Sequence, residues 1–434
     1  MNLFMVRLVS YEHSLRNYSL SCYNDEWDVL ICRSSLGGST MSGLTRVLIL
    51  SATYGEGHQR ASLAVRDALL ANNPAMDVQI VDYIQMVHPM LNSFARYFYL
   101  KSVRFVPALY GLFYKGTSKI APSSLIQRRL NRLGYEELEA FLHAFRPDLV
   151  LSTFPTPAGV MSLLRERGLT AIPTATVITD HAVHSQWIHR YTDHYFVGSE
   201  HVKRGLMLRG VPATRVTVSG IPIGNAFLQP VDRPAVLKRL GMREGMPTLL
   251  VMGGAYGVLG DIVQICDELF QSEFDMQVIV VCGRNDKLRQ SVEALRPAAK
   301  HPVWVFGFTR EVHELMAVSD LILTKAGGLT VSEALAMEVP MLLYRPIPGQ
   351  ETQNAAFLVR SRVAVLAKTR KQVFAHVERL LGGSPARLSR MKENTRLIRR
   401  ATAAQSIADE LPKINKALPP HEMMIDERYY AQQS

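Results

Sequence analysis

Short apolar runs alternate with amphipathic stretches along most of the chain. Strands are predicted over Arg46–Ser51, Val78–Val81, Asp148–Thr153, Ala171–Thr179 and His194–Gly198. A second series follows at Thr248–Met252, Met276–Gly283, Val303–Phe308, Leu321–Leu323 and Val339–Tyr344. Between strands, apolar residues recur at helical spacing, as at Leu63, Val65, Leu69 and Leu70, or at Val331, Ala334 and Leu335. Ser199 is a cap for a helix running to Leu208, and Ser384-Pro385 opens a long basic helix to about Leu411. Two such series, each with glycine turns at strand ends, predict an α/β protein: two Rossmann-like, doubly wound domains facing a cleft. The expected divisions are an extension at 1–44, a first domain at 45–224 and a linker at 225–246. A second domain at 247–384, a C-terminal helix at 385–412 packing back on the first domain, and a tail at 413–434 complete them. The extension mixes tyrosines, serines and charges without a period, so it is expected to be flexible and is assigned no function.

Composition narrows the class. The chain has 434 residues, 47% apolar and 20% charged, which suits two globular domains. Its formal charge of +11 draws it toward polyanions such as nucleotides or anionic lipid. Cys22, Cys32, Cys266 and Cys282 show neither metal-ligand spacing nor a secreted disulfide pattern, favouring a reduced cytoplasm. There is no apolar run long enough to span a bilayer, and no signal peptide is read at the start.

Charge is distributed unevenly. No acidic residue occurs between Asp82 and Glu136, where Arg96, Lys101, Arg104 and Lys115 are interleaved with Phe94, Tyr97, Phe98, Tyr99, Phe105, Tyr110, Phe113 and Tyr114. Basic residues among large aromatics suit a helix lying at an anionic membrane surface. Single-stranded nucleic acid, by stacking, and a core helix with a solvated basic face are the alternatives. The complete lack of acids favours the membrane reading, and no nucleic-acid partner is expected.

Two glycine turns at strand ends carry candidate chemistry. Tyr54-Gly55-Glu56-Gly57-His58 follows the first strand, but Arg60 stands where a dinucleotide fingerprint wants its third glycine. A histidine at a helix N-terminus has its neutral form favoured, which suits a general base; capping the helix is the plainer role. Gly253-Gly254 closes the first strand of the second series in the same way. After the fourth strand, Asp180, His184 and His189 invite a zinc reading, but their spacing matches no strong metal pattern, and no metal is expected.

The stretch Ser319–Asn354 is the most informative. Leu321–Leu323 leads through Lys325, Gly327 and Gly328 into a helix carrying Thr330 and Glu333. The turn's N–H groups and the positive helix end suit an anion, and adjacent glycines let a phosphate or flat ring reach the main chain. Helix-on-strand packing alone would also account for the glycines. After the next strand, Pro346-Ile347-Pro348-Gly349 is read as a stiff loop presenting Gln350, Glu351 and Asn354, a polar set suited to sugar hydroxyls.

The run Lys-x-Gly-Gly-Leu-Thr-x-Ser-Glu-Ala with Pro-Gly-Gln-Glu-x-x-Asn resembles the nucleotide-sugar site of glycosyltransferase family 28. Within that family it is similar to the diacylglycerol glycosyltransferases of plants and bacteria. The resemblance spans nearly all of residues 45 to 410 and implies a GT-B fold, a UDP-hexose donor used as substrate with no separate cofactor, and diacylglycerol as acceptor. It assigns ribose binding to Glu333, donor-sugar contacts to Gln350 and Glu351, and uracil reading to the main chain at Phe308-Thr309. Gly57 and His58 would face the acceptor beside the reacting centre, with Asp180, His184 and Trp187 as an acceptor-side wall. Plant members carry an aspartate base just upstream in this loop; Ala52 stands in that region here, so His58 or Glu56 is the candidate base. Inverting single displacement by a cytoplasmic enzyme, peripheral on the inner face of the cell membrane, is the implied activity. A lipid-linked peptidoglycan precursor as acceptor, a UDP-sugar epimerase and a non-catalytic UDP-sugar sensor are the rival readings.

Overall fold

A computed structural model describes residues 44–52, 56–87, 116–117, 120, 124, 127, 129, 131–132, 134–254 and 259–414. In chain order the first half contains β1 (Arg46–Ser51), α1 (Glu56–Asn72), β2 (Asp77–Asp82), α2 (Tyr83–Val87), α3 (Tyr135–Phe145), β3 (Leu149–Ser152) and α4 (Pro155–Glu166). β4 (Thr174–Val177), β5 (His194–Phe196), α5 (Glu200–Met207) and β6 (Val216–Thr217) complete its sheet. After α6 (Arg233–Leu240), the second half runs β7 (Thr248–Met252), α7 (Ile262–Phe270), β8 (Gln277–Val281), α8 (Asp286–Glu293), β9 (Val303–Phe306) and α9 (Val312–Ala317). It continues with β10 (Leu321–Thr324), α10 (Gly328–Ala336), β11 (Met341–Tyr344), α11 (Gln350–Arg360), β12 (Ala364–Ala367) and α12 (Arg370–Val377). Helices α13 (Pro385–Ile398) and α14 (Ala403–Ile414) end the described chain.

Both sheets are six-stranded and parallel, ordered β2-β1-β3-β4-β5-β6 and β12-β11-β10-β7-β8-β9. A parallel sheet must be covered on both faces, which is why its strands read as continuous apolar runs. In the second half, the strand period of two sends Leu250, Met252, Ile279, Ile322 and Leu343 to one core. Leu249, Val251, Val278, Leu321, Leu323 and Leu342 go to the other. In each sheet the strand order reverses beside the first strand, between β1 and β3 and between β7 and β10. The carboxyl ends of those strand pairs are the crevices where such folds bind ligands.

The expected two-half α/β architecture is present, with three local differences. The stretch expected as a linker holds a 3₁₀ turn, Asn225–Leu228, and helix α6, capped by the Asp232 side chain on Ala235 N and closed by Gly241 at φ 66°. Phe227, Val236 and Leu237 are buried in the second half's core, so the segment is held by packing as well as by its composition. The single basic helix expected from Pro385 is two. Arg399 adopts extended ψ of 142°, and it and Arg396 reach Glu338 at 2.6 Å, holding α13 on the second half. Ser384 makes no side-chain cap there. Only α14 crosses to the first half, where Ile407, Ala408, Leu411 and Ile414 join Val47, Ile49, Val65 and Leu149 in one core. Gly220 has φ 97°, and a Cβ on it would lie 2.4 Å from Arg400 Cβ, so the crossing needs glycine there.

Leu411 is fully buried in a half of the molecule from which it is distant in sequence. Leu411→Ala should therefore cost about 2–5 kcal/mol in urea unfolding. Leu397→Ala, at a side chain 75% exposed, should change stability by less than about 0.5 kcal/mol.

Candidate functional site

His58 lies in the first turn of α1, at the carboxyl ends of β1 and β3. Its Nδ1 is 2.8 Å from the Thr153 carbonyl oxygen and 3.0 Å from Thr179 Oγ1. A carbonyl can only accept, so Nδ1 carries the proton and Nε2 keeps its lone pair. Phe154 meets the ring edge-on at 5.2 Å and Trp187 lies tilted at 6.4 Å. Burial lowers the imidazole pKa to about 4, against the opposing pull of the Thr153 bond. The imidazole is thus neutral at physiological pH, with its tautomer set by main chain. Ser62 donates to the His58 carbonyl at 2.9 Å and lies 2.9 Å from Thr153 Oγ1, fixing the turn from below.

In the second half, β10 delivers Lys325 and the glycine pair to the start of α10. The two glycines do different things. A Cβ on Gly327 would meet nothing within 4 Å, so that main chain is open to an approaching group. A Cβ on Gly328 would lie 2.0 Å from the Thr179 carbonyl oxygen of the first half. Gly328 is therefore required by the other half of the protein, a use the sequence expectation of ligand approach does not contain. Gly254, at φ 75°, would press a Cβ to 3.4 Å from Lys325 Cε; Gly253 beside it is buried. Glu333 is buried, and burial raises its carboxyl to about 7, with nearby Arg60 pulling it down. Thr330 is half-buried in the same helix.

The loop expected after β11 becomes helix sooner than its prolines suggest. Gly349, at φ 116°, turns the chain, and Gln350 is already the first residue of α11. Glu351 and Asn354 then point inward with Ala355 and Leu358. Glu351 Oε2 accepts from Ile347 N at 3.0 Å and Oε1 lies 3.3 Å from Lys325 Nζ. Asn354 is fully buried: its Nδ2 donates to Asp180 Oδ1 at 3.0 Å and to the Ala326 carbonyl at 2.9 Å, and its Oδ1 accepts from His181 N at 2.8 Å. Asp180 is pushed up to about 6, first by burial and also by Glu351, against the Asn354 bond.

Other predicted residues fall around this junction. Glu56 Oε1 is 3.0 Å from Arg284 Nε of the second half, and Arg60 is within 3.4 Å of Glu56 Oε2. Arg284 also lies 4.6 Å over the Phe308 ring, and Arg60 6.0 Å from it; Phe308 itself is exposed. Thr309 Oγ1 accepts from Glu311 N. A Cβ on Gly57 would sit 3.9 Å from Leu329 Cβ, so the His58 turn adjoins the start of α10. His184 Nδ1 accepts from Gln186 N, capping the 3₁₀ turn Ser185–Trp187, while Nε2 lies 3.3 Å from Thr117 Oγ1. Arg96, Lys101, Arg104 and Lys115 lie outside the described residues. Among the described residues, no cluster of three or more His, Cys, Asp or Glu could hold a metal, and no helix is long and apolar enough to cross a membrane.

Sequence reading missed Arg60, Arg284, Thr179 and His181. His181 stacks on Phe357 of α11 at 4.7 Å with both ring nitrogens buried and without hydrogen bonds, and burial lowers it to about 4. Helical phase, one turn beyond Glu56, could have flagged Arg60. Nothing local marks the other three.

Residues 58–223 match the monogalactosyldiacylglycerol (MGDG) synthase family, and residues 248–411 match the glycosyltransferase family 28 C-terminal domain. The chain is 37% identical over 376 residues to a processive diacylglycerol beta-glucosyltransferase of Bacillus cereus (strain AH187), covering 87% of this chain and 95% of that protein. Its fold is similar to the crystal structure of Acinetobacter baumannii MurG (TM-score 0.53, 16% identity, covering 85% of this chain and 99% of that one). It is also similar to a UDP-glucosyltransferase from Polygonum tinctorium (TM-score 0.58, 14% identity, covering 87% and 100%). These likenesses establish the GT-B fold.

The buried Asp180 carboxylate generates a pH prediction. Its folded pKa, about 6, is raised above the ordinary 3.8, so the folded state holds the proton more tightly. Its contribution is present at low pH and lost as pH rises from about 4 through about 6. Asp180→Asn keeps the acceptor for Asn354 and removes the ionisation. Denaturation curves should show the variant gaining stability over wild type across that window and holding the gain at pH 7; a constant difference across pH would contradict the assignment.

Proposed function

The chain belongs to the diacylglycerol glycosyltransferases of family 28, and from that membership we propose that it is an inverting hexosyltransferase that moves a hexose from a UDP-sugar to diacylglycerol in glycolipid synthesis. The observation that carries the chemistry is the meeting of His58, neutral with Nε2 unprotonated, and the start of α10 across one cleft. Relatives named as beta-glucosyltransferases make UDP-glucose the first donor to try.

In this reading Nε2 of His58 takes the proton from the diacylglycerol hydroxyl as its oxygen attacks the anomeric carbon. The bond from that carbon to the diphosphate oxygen breaks, UDP leaves with the electron pair, and the configuration inverts. Thr153 and Thr179 hold the ring so that Nε2 faces the reacting hydroxyl. Glu333 receives the ribose hydroxyls, Lys325 and the start of α10 face the diphosphate, and Gln350 with Glu351 orients the hexose. Glu56 is better suited to its ion pairs than to the role of base, because Arg60 and Arg284 already occupy both of its carboxylate oxygens. No separate cofactor enters this reading. The acid-free, aromatic-rich interval between Asp82 and Glu136 supports docking on an anionic membrane surface, where a diacylglycerol acceptor resides. We place the enzyme on the inner face of the cell membrane on that basis.

Incubation with UDP-glucose or UDP-galactose and diacylglycerol vesicles, followed by lipid chromatography, should yield hexosyl diacylglycerol. His58→Ala should lower turnover roughly 10²-fold or more with UDP affinity near wild type. Full turnover in that variant, with loss in Glu56→Gln, would move the base to the carboxylate.

Glu333 sets a second pH signature. Ribose hydroxyls donate to the ionised carboxylate, and the free protein holds that carboxyl up to about 7. Calorimetric affinity for UDP should therefore rise from pH 6 to 8 and level off above. Glu333→Gln should flatten that rise and weaken binding by about 1.5–3 kcal/mol at pH 8.

A further inference from the structure

Three positive features converge on one carboxylate at the mouth of the cleft. Glu56 occupies the first turn of α1, a 17-residue helix, where the helix end favours negative charge. Arg60, one turn along the same helix, approaches it at 3.4 Å, and Arg284, from the turn before α8, at 3.0 Å. Both guanidiniums also lie against the exposed ring of Phe308. Arg60 extends this positive field to buried Glu333. The cations therefore line the path between the helix that carries His58 and the helix that carries Glu333. The Glu56 side chain is only 20% exposed, whereas the Arg284 side chain is 41% exposed, so the pair is solvent-screened and readily exchanged.

Building on the nucleotide-sugar reading, we propose that Glu56 is a built-in stand-in for the donor's diphosphate. Its carboxylate holds Arg284 across the two halves. On donor entry the diphosphate takes over that guanidinium, and Arg284 becomes a positioning residue for the leaving group. A diphosphate offers more charge and more acceptor oxygens to a planar fork than one carboxylate does, so the exchange runs toward the ligand. The exchange couples cleft charge to occupancy: the negative charge of Glu56 faces a matched cation until the donor supplies its own. Phe308 keeps Arg284 at the cleft in both states, because a guanidinium stacks on a ring without giving up its hydrogen-bond donors.

The test is calorimetric titration of the full chain and its variants with UDP and with uridine, which lacks the diphosphate. Glu56→Gln removes the competitor and should tighten UDP about twofold to fivefold while leaving uridine unchanged. Arg284→Ala should weaken UDP by about tenfold or more with uridine within about twofold, and Arg284→Lys should recover part of the loss. The double variant should bind UDP close to Arg284→Ala alone, because the proposed exchange runs through that guanidinium, while Arg60 stays on its own helix beside Glu56. Weaker UDP binding in Glu56→Gln, or equal shifts for UDP and uridine in either variant, would overturn the exchange while the nucleotide reading stood. Wild-type protein that bound neither compound would overturn the nucleotide reading and the exchange with it.

Discussion

A buried amide must have its polar atoms satisfied, and Asn354 satisfies them only by joining both halves of the protein. One N–H goes to Ala326 beside the glycine turn, the other to Asp180 of the first half, and its oxygen receives His181 N. An unpaired polar group there would carry the full desolvation penalty, so the three bonds fix how α11 sits against the turn after β4. Much of the junction depends on that placement. It brings Thr179 so close to Gly328 that a side chain cannot fit, lays Phe357 on His181, and sets the α10 start against Gly57 and therefore beside His58.

The same closeness excludes water, and the loss of water tunes the ionisable groups in one direction each. His58 loses stabilisation of its charged form and stays neutral, while Glu333 and Asp180 become harder to ionise. These shifts fit the roles of base and ribose acceptor proposed for His58 and Glu333. At the rim, Glu56, Arg60 and Arg284 form ion pairs whose arginine side chains are 38% and 41% exposed, so solvent screens each contact.

The chain's crossing back at its end gives the two halves a second tie. Glu338 anchors α13 to one half through Arg396 and Arg399, and the apolar face of α14 completes the core of the other. A break at residues 399–402 lets one basic stretch serve both, where helical periodicity alone suggested a continuous rod.

Strand runs, glycine turns and the polar set Glu333, Gln350, Glu351 and Asn354 were legible in the linear order, because parallel strands are apolar on both faces and anion-ready turns need residues without Cβ. The fold and the family both followed from such local signals. Tertiary structure added partners that the linear order does not show. Asn354, expected among the sugar-facing polar set, bonds across the two halves; Gly328, expected to admit a ligand or pack helix on strand, also lies against Thr179; Glu56, one of two candidate bases, pairs with Arg284. The start of α11 at Gln350 and the break after α13 were likewise settled by what each segment packs against. Periodicity reports only how a residue relates to its neighbours in the chain. Roles at a cleft depend on residues more than a hundred positions away, whose approach, dielectric and hydrogen bonds exist only once both sheets have folded and met.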